Sequence, residues 1–280
     1  MKKTIVLYPG LAVSHFIPMM QFANSLLGEG YAAVVTLINV TMKHNIPFAA
    51  DVDRAAASKP SVTFHTLPSD PKPSHHHQQR AAASRLIRHY NKHLHEFLSS
   101  LPPRNIHTVI VDSLSNEALD VTKELGIPSY VFFTSNASAL AAFLQVPWVC
   151  TEGPPSFKEL GDATLNFHGV PPVPASHHMG EMLKDPESEV YKVMTKSYSK
   201  NLEADDILVN TFASLEARAV ELWKPSRTLG FSAKVGSRCL RCSASSDSSR
   251  VPLAQKKSMS AWHGSTSNQS IMFCSFALEV

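Results

Sequence analysis

The sequence predicts an α/β protein, with a doubly wound parallel sheet over residues 1–220 and a disordered tail over residues 221–280. Three observations carry this reading. Strand-like and helix-like segments alternate up to about residue 220. Several strand segments are apolar at every position, as expected where helices cover both faces of a parallel sheet. Beyond about Leu222 the alternation stops, and the run 226–275 is dense in Ser, Arg, Lys and Gly with no strand or helix period.

Taken in order, the apolar, β-branched run at residues 4–8 reads as the first strand. Ile17, Met20, Phe22, Ala23 and Leu26 mark the buried side of a helix over 16–27, which ends near Gly28 and Gly30. Further strands are read at 33–39, 61–67, 108–112, 129–133 and 207–210, and further helices at 80–100, 116–125, 137–145, 187–201 and 214–219. The Pro-, Ser- and His-rich stretch 69–79 reads as a mobile loop. The stretch 151–185, with Pro154, Pro155, Pro171, Pro172 and Pro174, reads as a lid or substrate-facing excursion. Right-handed crossovers give the strand order 3-2-1-4-5. That order reverses between the first and fourth strands. His15 follows the first and Asp112 closes the fourth, so both fall at the switch point where such sheets bind ligands.

Composition narrows the function. Hydrophobic residues make up 44% of the chain and charged residues 18%, values of a globular protein with a core. A net charge of +3 without a basic run interleaved with aromatics argues against nucleic acid. Cys150, Cys239, Cys242 and Cys274 are too few and scattered for a disulfide scaffold. Lys2 and Lys3 precede an apolar run that Pro9 and Gly10 break, with no small-residue cleavage site, so the N-terminus reads as a strand of a cytoplasmic protein. The sequons at Asn39-Val-Thr41 and Asn136-Ala-Ser138 are then chance matches. No segment has the ~20 apolar residues of a membrane helix.

His15 stands near the positive end of a helix dipole, which favours a neutral ring able to accept a proton. A carboxylate on its other nitrogen would fix the tautomer and stabilise the imidazolium, a pairing suited to deprotonating a hydroxyl. The same residues also fit a helix cap and a plain strand end. The turn Pro9-Gly-Leu-Ala-Val-Ser14 has no G-x-G-x-x-G, and no acidic residue ends the second strand, which demotes a dinucleotide or flavodoxin-like nucleotide site. The absence of G-x-S-x-G demotes acyl transfer. His75-His76-His77 in a Pro/Ser loop is no preformed metal site, and Cys239-Leu-Arg-Cys242 is half of a zinc pattern, so no metal is expected. Phe132, Phe133, Phe143 and Trp148 either line an apolar pocket or pack the core.

Four segments together resemble a family. Tyr8-Pro-Gly…Ser-His15…Pro18-Met-Met…Ala23 comes first, then Val109-Ile-Val-Asp112, then Gly126-Ile-Pro-Ser-Tyr-Val-Phe-Phe-Thr-Ser-Asn-Ala-Ser138. Asp206-Ile-Leu-Val-Asn-Thr-Phe-Ala-Ser-Leu-Glu216 completes the set. In this order they are similar to the N-terminal half of plant UDP-glycosyltransferases, most of all those glucosylating flavonoids and related phenols. The resemblance implies a GT-B architecture, of which residues 1–220 are the acceptor-binding, Rossmann-like domain. It implies inverting transfer of glucose from UDP-glucose to a phenolic hydroxyl, with His15 as base and Asp112 as its orienting partner. Thr134 and Ser14 would contact the donor sugar; Ser14 stands where many members have glycine and would re-cap the helix. Phe16, Phe133 and Phe143 would line the acceptor pocket. UDP-sugar is a co-substrate, no cofactor is implied, and a monomer is expected.

Residues 221–280 contain nothing similar to the family's long UDP-sugar-binding motif. Without that surface the developing charge on UDP lacks stabilisation, so this chain is expected to be inactive alone. Codon degeneracy lets Ser258-Met-Ser-Ala-Trp-His-Gly-Ser-Thr266 be read in another frame as H-V-C-L-A-W-L-D, similar to the segment after the family linker. An out-of-frame translation from residues 220–224 accounts for this, as does coincidence. The transcript sequence decides between them.

Overall fold

The computed structural model describes residues 2–39, 46–68, 79–102, 104–151, 156–211, 214–223, 261–266 and 269–277. Along the chain run β1 (Thr4–Tyr8), α1 (Val13–Gly28), β2 (Ala32–Ile38), α2 (Ile46–Ser58), β3 (Val62–Leu67), α3 (Gln79–Ser100) and β4 (Ile106–Asp112). Then come α4 (Leu119–Glu124), β5 (Ser129–Phe133), α5 (Ala137–Thr151), α6 (Phe157–Leu160), β6 (Thr164–Leu165), β7 (Val173–Pro174) and α7 (Glu189–Lys200). The last are β8 (Asp206–Thr211), α8 (Ala217–Trp223), β9 (Ala261–Thr266) and β10 (Gln269–Ala277).

The sheet order is β3-β2-β1-β4-β5-β8-β10-β9, and the six strands from β3 to β8 are parallel. The expected order 3-2-1-4-5 is therefore present, with β8 added beside β5. Side chains alternate across a strand, and here both sides are covered. Ile5 and Leu7 of β1 join Phe16, Met19, Phe22 and Phe48 in one cluster, while Val6 and Tyr8 join Ile87, Tyr90, Leu94 and Leu140 in another. This is why TIVLY is apolar at four positions out of five rather than alternating. Phe16 and Met19, fully enclosed, each contribute about 1.5–3 kcal/mol of burial. They hold α1 against the sheet and so fix where its first turn lies.

Three regions depart from the sequence reading. Helix α2 was not among the helices read; its buried Phe48, Val52 and Ala55 lie on one face at helical spacing, diluted in the sequence by alanines and charges. The stretch 151–185 is not an open lid over its described part. Ser156 and Glu159 form a capping box that starts α6, β6 pairs with β7, and Phe157, Phe167, Val170 and Met182 pack with Ala141 and Val146 of α5 and Tyr191, Met194 and Tyr198 of α7. Its prolines punctuate a packed excursion. Finally, the tail holds strands at β9 and β10, with β10 antiparallel to β8. The unpaired backbone groups of the β8 edge supply the template, and QSIMFCSFA carries strand-forming residue types. Residues 224–260 and residues 69–78 of the stretch expected to be a loop lie outside the described residues. Among the described residues no helix is long and apolar enough to cross a membrane.

Candidate active site

His15 is the third residue of α1. The chain leaves β1 through Pro9-Gly10-Leu11 into Ala12, whose extended backbone (φ −125°, ψ 147°) begins the helix, and the His15 N–H donates to the Ala12 carbonyl at 3.0 Å. Asp112 is the last residue of β4, the strand next to β1. The two meet across the switch point, with His15 Nδ1 2.8 Å from Asp112 Oδ2. The Asp112 side chain is wholly buried while that of His15 is 22% exposed, so the ring is reachable and its partner is shielded. Asp112 Oδ1 accepts the Leu114 N–H at 2.9 Å, which fixes the carboxyl rotation. An ionised carboxylate only accepts hydrogen bonds. Where Asp112 is ionised, Nδ1 carries the proton and Nε2 is the accepting nitrogen of the ring.

Thr134 follows β5, the next strand over, and its hydroxyl lies 3.2 Å from His15 Nδ1. Its turn is fastened on both sides. Asn210 Nδ2 donates to the Thr134 carbonyl at 3.4 Å, and Asn136 Oδ1 accepts the Ala139 N–H at 2.7 Å, capping α5. Glu216 closes the same helix end. Its carboxylate accepts the Ala137 and Ser138 N–H groups at 2.8 and 2.9 Å and the Thr211 hydroxyl at 2.5 Å. Burial works against the Glu216 charge, yet these bonds outweigh it and hold the carboxyl below the usual carboxylate range.

Gly10 lies between the two halves of the pair. A Cβ there would stand 2.6 Å from Asp112 Oδ1 and 3.0 Å from the His15 Cβ, so only glycine admits this approach. Sequence reasoning took Gly10 as turn punctuation; its real role depends on a strand about a hundred residues away, which spacing cannot show. Glu216 offered no signal beyond its place in a family-like segment.

The other expected residues separate. Phe133 ends β5 and meets Phe143 edge-on at 5.9 Å, and Phe143 stacks on Tyr198 at 4.8 Å, so these two share one aromatic wall. Phe16 does not join them. Its ring is fully buried against Phe48 at 5.3 Å, where it seats α1 and presents no surface to a ligand. Phe132 is likewise enclosed, stacked on Phe22. Ser14 is exposed in the first turn of α1 but does not cap it, because Ala12 holds that position and the cap has no side-chain bond. The Trp148 side chain, His75–His77, Cys239 and Cys242 lie outside the described residues. Among the described residues no group of three or more His, Cys, Asp or Glu is arranged to hold a metal.

No family model matches the chain. Individual relatives do. It is 31% identical over 225 residues to a malvidin galactosylase of Oryza sativa subsp. indica, covering 79% of this chain and 46% of that protein. It is 27% identical over 229 residues to an anthocyanidin 5,3-O-glucosyltransferase of a Rosa hybrid cultivar, covering 78% and 48%. Among solved structures, an indoxyl-glucosylating UDP-glucosyltransferase from Polygonum tinctorium superposes with a TM-score of 0.71 at 22% identity, covering 81% of this chain and 50% of that one. The described sheet and its helices thus have the fold of a GT-B N-terminal, Rossmann-like domain. The chain spans about half the length of the curated relatives it matches. In sequence and in fold, it corresponds to the N-terminal half of the plant UDP-glycosyltransferases.

Proposed function

We propose that residues 1–220 form the acceptor-binding domain of a glycosyltransferase that moves a hexose, glucose in the first instance, from a UDP-sugar to a hydroxyl of a flavonoid-like phenol. The observation that carries this reading is the 2.8 Å contact between a reachable His15 and a fully buried Asp112. In this mechanism His15 Nε2 takes the proton from the acceptor hydroxyl as its oxygen attacks the anomeric carbon. The bond to UDP breaks on the opposite side, which inverts the configuration. Asp112 keeps the proton on Nδ1 and stabilises the imidazolium as it forms, a contribution of about 10²–10⁴-fold for general base catalysis. In this reading the donor sugar meets Thr134, whose hydroxyl lies 3.2 Å from the same ring, and Ser14, exposed in the first turn of α1. Phe143, half-buried and edge-on to the buried Phe133, meets a planar acceptor in the same reading. The names of relatives acting on malvidin and anthocyanidin support a phenolic acceptor.

A second reading rests on the aromatic contact of Phe133 with Phe143 alone: a domain that binds the acceptor without turning it over. Incubating the purified chain with UDP-glucose and a flavonoid panel separates the two. Acceptor binding without turnover supports the second. Turnover that disappears in His15→Ala supports transfer by the chain itself. Failure to bind any phenol would contradict both.

A further inference from the structure

His15 and Asp112 belong to elements 97 residues apart in sequence, so their separation is set by whatever fastens the end of β1 to the end of β4. Strand pairing stops at Tyr8 and Val111, one residue short of Asp112 and well short of His15. Beyond that point the two loops need another link.

We propose that Ser115 is the positioning residue of the His15–Asp112 pair, tying the turn that carries Asp112 to the loop that carries His15. Its hydroxyl donates to the carbonyl of Pro9 at 3.2 Å. Its own N–H donates to the Asp112 carbonyl at 2.8 Å and closes the turn 112–115, inside which the Leu114 N–H holds the carboxyl. Ser115 is fully buried, so no water replaces the hydroxyl if it is removed. The far side of the turn is fixed independently. The neighbouring Asn116 donates from Nδ2 to the Ser197 carbonyl of α7 and to Asn201 Oδ1, both at 2.8 Å. Asn116 therefore anchors the Asp112 turn to α7, and Ser115 is the side-chain link from that turn toward β1. The link ends at Pro9, next to the glycine whose Cα faces the Asp112 carboxyl. A hydrogen bond weakens steeply once its atoms move a few tenths of an ångström past 3.2 Å or lose alignment. Relaxing the Pro9 loop is thus read out directly at the 2.8 Å contact.

The inference rests on the reading of His15 and Asp112 as the base pair, and its test works without any transferase activity. The 15N shifts of the His15 ring nitrogens, recorded on the full chain at a pH where the ring is neutral, report which nitrogen carries the proton. The wild type is expected to show the Nδ1–H form. Asp112→Asn should move the population toward Nε2–H, and Ser115→Ala should move it part of the way, with Ser115→Thr restoring the wild-type shifts. Ser176→Ala serves as a control, since it removes a hydroxyl bonded to Asp162 with no bond to the turn 112–115, and it should leave the shifts alone. Ser115→Cys, which keeps the volume and weakens the donor, takes the place of Ser115→Ala should the latter not fold. If Asp112→Asn changes the tautomer while Ser115→Ala, or Ser115→Cys in its place, leaves it as in wild type, the Ser115 proposal is wrong and the pair stands. If Asp112→Asn itself changes nothing, the base-pair reading fails first.

Discussion

Gly10→Ala puts a methyl carbon 2.6 Å from Asp112 Oδ1 and 2.9 Å from its Cγ, about 0.8 Å inside the 3.4 Å of an ordinary contact. Neither side yields easily. The Asp112 carboxyl is buried, is held at one oxygen by the Leu114 N–H and at the other by His15, and ends a strand paired on both sides. Overpacking of this kind costs about 1–3 kcal/mol. At about 2–4 °C per kcal/mol for a domain of this size, the melting temperature should fall by about 2–12 °C. The clash falls on the carboxyl atoms, so Asp112→Ala should relieve most of it, and the two substitutions should be strongly non-additive. Thermal melts of the wild type, both single variants and the double variant measure this cycle. A Gly10→Ala protein that melts like wild type, or a penalty that is undiminished in the Asp112→Ala background, would refute the close-approach argument.

Glu216→Ala should cost about 0.5–2 kcal/mol, the range for losing a helix cap, since it strips the acceptor from two α5 amides and the Thr211 hydroxyl. Because those bonds depress the Glu216 carboxyl, its contribution is present above the unfolded value near 4.5 and is lost as pH falls through the lower folded value. Acid denaturation of the variant should accordingly lack that part of the pH slope. His178, packed among Phe143, Phe157 and Phe167, has its titration lowered by burial, and its Nδ1 has no hydrogen-bond partner among the described residues. The folded state therefore favours the neutral ring. Stability is full above the unfolded value near 6.5 and declines as pH falls below it, and His178→Phe should flatten the dependence of the melting temperature between about pH 7 and pH 5.

The strand order and the meeting of His15 with Asp112 were legible because both follow from general rules. Apolar runs covered on both faces imply a parallel sheet, crossover handedness orders it, and the order brings the ends of the first and fourth strands together. What was not legible depends on contacts remote in sequence. Phe16 and Phe133 are both apolar residues beside the site and both are buried, but Phe16 packs against Phe48 in one core cluster while Phe133 meets Phe143 in the other. Ser14 is a good cap residue by type, but the helix begins two residues too early for it, at Val13. The prolines of 151–185 suggested a lid; the phenylalanines between them, Phe157 and Phe167, were the better guide, since they fill a core with α5 and α7. The roles of Gly10, Ser115 and Glu216 come from contacts with atoms well outside their own turns, where no local pattern points.

The central claim is that His15, oriented by Asp112, is the base of a sugar transfer to a phenolic hydroxyl. The most direct measurement is glucose transfer from UDP-glucose to a flavonoid by residues 1–220 joined to the C-terminal half of a plant relative, in the wild type and in His15→Ala. The account predicts turnover by the wild-type fusion and a loss of about 10²–10⁴-fold in the variant, with most of that loss in kcat. Equal rates in the two proteins would contradict it.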